Sequence, residues 1–126
     1  MFLLPRQLKV KTKIEDFARL MGIDPAWAVA IAMQESSLGE RQKSPTGCKG
    51  VFQMSSIAMK DLLQEMQEYN DDLADIACGT AFLHLLFKRF KSIEKATEKY
   101  CDPRDREHYV PSVLAYMKEF SKGVEK

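Results

Sequence analysis

The sequence predicts an all-α domain, on three observations. Apolar residues recur at helical spacing in successive windows, small polar residues, glycines and prolines punctuate those windows, and nothing alternates with a period of two long enough to make a strand. A first helix is expected over 13–21, where Ile14, Phe17, Ala18 and Met21 share one face and Gly22 closes it. A second follows over 24–33, with Asp24 as its cap and Pro25 in its first turn. Trp27, Val29, Ala30, Ile31 and Met33 leave it no polar face, so it should be buried all round. A loop over 38–52 contains Gly39, Gly47 and Gly50. Ser55 or Ser56 then caps a helix that turns Ile57, Leu62, Leu63 and Met66 inward. Asn70 or Asp71 begins a long helix to about Phe90, striped by Leu73, Ile76, Ala77, Leu83, Leu86, Phe87 and Phe90. Ser92 starts a short helix to Tyr100, and a polar link over 101–106 leads to a last helix ending near Phe120. Pro111 either starts that last helix or kinks it. Residues 121–126 read as a frayed tail.

The chain of 126 residues suits one domain with a core over about 13–120, and 45% hydrophobic with 29% charged residues is a soluble balance. A net charge of +1, with basic and acidic residues interspersed, argues against nucleic acid as a partner. No segment reaches membrane-spanning length, and the apolar start is too short for a signal peptide, being broken by Pro5 and Arg6. Cys48, Cys78 and Cys101 form no disulfide framework and read as thiols. His84 and His108 lie in no zinc-type spacing, so no metal is expected. Nothing in the pattern calls for an oligomer, and a monomer is expected.

Glu35 is the informative residue. A carboxyl at the end of an apolar helix meets the negative end of the helix dipole and apolar neighbours, and both raise its pKa towards what a general acid near neutral pH requires. The segment that follows carries glycines at 47 and 50, which allow a tight turn and close approach of a ligand to the backbone. Ser44 and Gln53 add neutral hydrogen-bonding groups of the kind that suit a sugar or amide.

These residues carry a resemblance. Gln34-Glu35-Ser36-Ser37, followed by Ser44-Pro45-Thr46-Gly47-Cys48-Lys49-Gly50-Val51-Phe52-Gln53, resembles the paired signatures of the soluble lytic transglycosylase family, including the spacings of nine and eighteen residues from Glu35 to Ser44 and Gln53. The similarity continues through 75–83, Tyr100 and the 109–116 segment. It implies a lysozyme-like helical fold acting on peptidoglycan glycan strands without a cofactor. Glu35 is implied as the sole catalytic acid and base, and Ser44 and Gln53 as substrate-binding. Tyr100 matches a tyrosine close to the carboxyl, and Phe52 and Tyr109 are candidates for the cleft wall. After Tyr100 the family usually has asparagine, alanine and glycine, whereas this chain has Cys101, Asp102 and Pro103, which predicts a differently built wall.

The implied reaction cleaves the bond between N-acetylmuramic acid and N-acetylglucosamine and leaves a 1,6-anhydromuramyl end. Ordinary glycosidases need a second carboxyl. Were Glu40 or Asp61 to serve as one, the same fold would be a hydrolytic muramidase. A third reading is a wall-binding structural piece of a virion or secretion apparatus, and a phage-delivered enzyme fits a chain without its own export signal.

Overall fold

The computed structural model describes residues 1–40, 51–52 and 71–122, and gives the backbone alone for 71–74. The expected helix after Ser55 or Ser56 therefore lies outside the described residues, as do Ser44, Cys48, Gln53 and Asp61. Among the described residues there are five α-helices and no strand. They are α1 (Pro5–Met21), α2 (Pro25–Ser36), α3 (Asp71–Phe90), α4 (Ile93–Tyr100) and α5 (Arg106–Ser121), with a 3₁₀ turn at Pro103–Asp105. The all-α class follows.

Helix α1 starts eight residues before the apolar pattern does. Pro5 occupies its first turn, where a missing N–H costs nothing, and the Gln7 side chain accepts the Leu4 N–H at 2.8 Å. The Gln7 amide also donates to the Ser37 carbonyl at 3.0 Å, so a tertiary contact supports this first turn. Gly22 ends the helix in the left-handed region (φ 74) that its lack of Cβ permits.

Helix α2 is the enclosed one. Asp24 caps it by accepting the Ala26 N–H at 2.9 Å, and every residue from Ala26 to Met33 is buried. It packs between α1 and α5, while α3 lies against α1 and α4. Trp27 is fully buried, tilts against Phe87 of α3 with ring centroids 6.1 Å apart, and donates its indole N–H to Thr97 at 2.9 Å. Ser92 caps α4 through the Lys95 N–H, and α5 runs through Pro111 rather than starting there. Cys78 and Cys101 are buried thiols, kept protonated because burial pushes both upward.

Helix α3 meets Val51–Phe52 at Gly79. A Cβ at this position would lie 2.2 Å from Phe52 Cδ2 and 2.9 Å from Phe52 Cβ, so the whole ring would have to move. Gly79→Ala is expected to destabilise the fold by about 1–3 kcal/mol, as overpacking does, read as a lower urea midpoint at unchanged slope.

Candidate active site

Glu35 belongs to the last turn of α2, and the chain leaves that turn abruptly. Ser37, Leu38 and Gly39 are successive left-handed residues with φ of 51, 55 and 90. For Ser37 and Leu38 this costs roughly 1 kcal/mol each. The N–H groups of Ser37 and Leu38 are taken by the carbonyls of Met33 and Ala32, and Leu38 is buried, which offsets the strain. Ser36 Oγ accepts the Gly39 N–H at 2.9 Å and donates to the Val51 carbonyl at 2.5 Å. The residue after Glu35 thus fixes both the reversal and the returning strand of chain.

The Glu35 side chain is partly buried. Removal from water pushes its pKa from the ordinary 4.5 up to about 7, a hydrogen bond from Tyr109 pulls it down, and the charge of Asp105 pushes it up again. Tyr109 Oη donates to Glu35 Oε1 at 2.9 Å, and the phenol is itself buried. Burial and the nearby carboxylate hold the Tyr109 pKa well above its ordinary value, so it remains a donor across the working pH range. Asp105, the N-cap of α5, precedes Tyr109 by four residues and makes no side-chain capping bond. Beside Glu35, Gln34 accepts a hydrogen bond from Ser112 of α5.

Of the other candidates, Tyr100, Phe52 and Glu40 lie among the described residues. Tyr100 donates to the carbonyl of Phe52, while the hydrogen bond to Glu35 comes from Tyr109. The two tyrosines are close enough for Tyr100 to affect the ionisation of Tyr109. Phe52 is fully buried, with its ring against Gly79 of α3. Glu40, one of the acids considered for a second role, is bound by Arg6 at 2.6 Å, and this pairing holds its carboxyl below the usual range. The sequence offered no sign of Asp105, whose part depends on the 3₁₀ turn that presents it. Among the described residues no cluster of His, Cys, Asp or Glu could hold a metal, and no helix is long and apolar enough to cross a membrane.

Helical packing around one partly buried, protonatable carboxyl defines an α-helical domain with acid–base capacity at the end of its innermost helix. The chain matches the family model of the transglycosylase SLT domain over residues 14–105, and it belongs to that family, whose domains act on peptidoglycan. No curated protein and no solved structure matches the chain. The matched stretch includes Glu35 and Tyr100 and stops at Asp105, just before the helix that carries Tyr109.

Two outcomes are expected from this geometry. Tyr109→Phe removes the bond that favours the carboxylate and should move the Glu35 titration above about 7, whereas Asp105→Asn should move it below; NMR titration of the side-chain carboxyl carbon reads both. The second concerns stability. Because the folded state holds the Glu35 proton more tightly than the unfolded chain, this group's contribution is fully present below 4.5 and is lost as pH rises through about 7. Glu35→Gln keeps an acceptor for Tyr109, so unfolding titrations should show it more stable than the parent by up to about 3 kcal/mol at pH 8 and little changed at pH 4.

Proposed function

We propose that this chain is a lytic transglycosylase that cleaves the β-1,4 bond between N-acetylmuramic acid and N-acetylglucosamine, with Glu35 as acid and then base. The observation that carries the reading is the Glu35 carboxyl, kept partly out of water and hydrogen-bonded by Tyr109, with a pKa of about 7. A general acid works best when its pKa lies near the operating pH, since it then holds a proton yet releases it readily. Protonated Glu35 gives its proton to the glycosidic oxygen as the bond to C1 breaks. The acetamido group of the muramyl residue stabilises the positive charge that develops at C1. The Glu35 carboxylate then takes the proton of the C6 hydroxyl as its oxygen closes onto C1, leaving a 1,6-anhydro end and the enzyme in its starting protonation state. Tyr109 steadies the carboxylate between these two proton transfers.

Support for a single-carboxyl mechanism comes from the engagement of Glu40 with Arg6, which leaves that acid in an ion pair of its own. Ser44 and Gln53 serve as the sugar-binding groups in this reading, on the strength of the resemblance, and Tyr100 acts on the chain next to Gln53 through the Phe52 carbonyl. The protein works as a monomer on glycan strands, and no cofactor takes part in the reaction.

Mass analysis of digested peptidoglycan tests bond and mechanism together. Products lighter by one water than hydrolysis fragments are expected, and reducing muramic ends in their place would make the protein a muramidase. Glu35→Gln should lower the cleavage rate by about 10²–10⁴-fold, the usual worth of a general acid or base. Undiminished cleavage by that variant would remove Glu35 from the reaction.

A further inference from the structure

Val51 and Phe52 have turn backbone and are buried, 1% and 0% exposed. Backbone polar groups in such a place must find partners, because an unpaired buried N–H or C=O costs about as much as a lost hydrogen bond. Here three side chains from three helices supply partners for three of these groups. Asp75 of α3 accepts the Val51 N–H at 2.5 Å, Ser36 of α2 donates to the Val51 carbonyl at 2.5 Å, and Tyr100 of α4 donates to the Phe52 carbonyl. One turn along α3 from Asp75, Gly79 receives the Phe52 ring, so a single face of this helix grips both backbone and side chain.

Asp75 is 6% exposed, and keeping a carboxyl there is expensive unless a specific bond needs it. Its bond to an amide N–H is of the charge-assisted kind, stronger than a bond between neutral groups. The Val51 peptide is at the same time tied to Ser36, the residue after Glu35. A short path of contacts thus runs from the catalytic helix through Val51 to α3.

We propose that Asp75 is a positioning residue for glycan cleavage: by holding the Val51 N–H it sets where Val51–Phe52, the residues that precede Gln53 in the sequence, stand relative to Glu35. The inference rests on the reading of Glu35 and Gln53 given above. Asp75 acts through the Val51 peptide, so its loss should weaken engagement of the strand and leave the proton affinity of Glu35 as it is.

The test uses the full chain and soluble oligosaccharides of alternating N-acetylglucosamine and N-acetylmuramic acid. Asp75→Ala is expected to raise KM by about 10-fold, the worth of one hydrogen bond to a charged group, while the alkaline limb of the pH profile stays where the parent has it. Asp75→Asn, whose amide oxygen can still accept the Val51 N–H, should recover most of the loss. Two results would overturn the proposal: a fall in kcat that tracks lost thermal stability at unchanged KM, or an Asn variant as impaired as the Ala one. Should Asp75→Ala not fold, Asp75→Ser, whose hydroxyl stops short of Val51, is judged by the same criteria. A parent protein that cleaves nothing would refute the proposed function instead; calorimetric binding of the same oligosaccharides then decides the role of Asp75, with affinity about 10-fold weaker in the Ala variant expected and equal affinity overturning it.

Discussion

The desolvation of one carboxyl governs how the rest of the molecule is arranged. Glu35 can stay out of water because α2 is apolar all round and enclosed between α1 and α5, and because α5 brings a phenol to meet it. Removal from solvent favours the neutral acid, while Tyr109 favours the anion, and the balance leaves the group able to give and take a proton near neutrality. Either influence alone would be less useful. A carboxyl buried without a partner holds its proton well above neutrality, and one fully solvated gives it up well below.

Around this centre the polar groups that the core encloses are matched to one another. Trp27 meets Thr97, Asp75 and Ser36 share the two ends of Val51, and Gln7 joins the start of α1 to the reversal after α2. Among the described residues no buried side-chain nitrogen or oxygen lacks a hydrogen-bond partner. Interior polar groups satisfied in this way fix geometry more than they add stability, since each bond mainly replaces one made to water in the unfolded chain. The strained exit at Ser37 and Leu38 belongs to the same economy, for it turns the chain sharply beside the carboxyl.

Much of this could be read from the sequence where the determinants are local. Asp24, Pro25, Gly22 and Ser92 end or begin helices by contacts with residues a few positions away, and each does so in the structure. The early start of α1 escaped the apolar pattern because Pro5 and Gln7 nucleate it, and Gln7 is supported by Ser37, thirty residues on. Glu35 stood out because an acid at the end of an apolar helix is locally anomalous. Tyr109 was legible only as a cleft-wall candidate and not as the partner of Glu35, since the two are separated by 74 positions and only the packing of α5 on α2 brings them together. Tyr100 matched the family pattern and influences the ionisation of Tyr109, yet its hydroxyl donates to the backbone of Phe52. Neither periodicity nor motif spacing carries that distinction.

The chain has one tryptophan, and it lies on α2, buried against Phe87 and bonded to Thr97. Indole emission therefore comes from a single, known environment two turns away from the acid. Any loosening of the innermost helix would wet that ring and shift its spectrum, so the molecule carries its own optical reporter of whether the helix that bears Glu35 is intact.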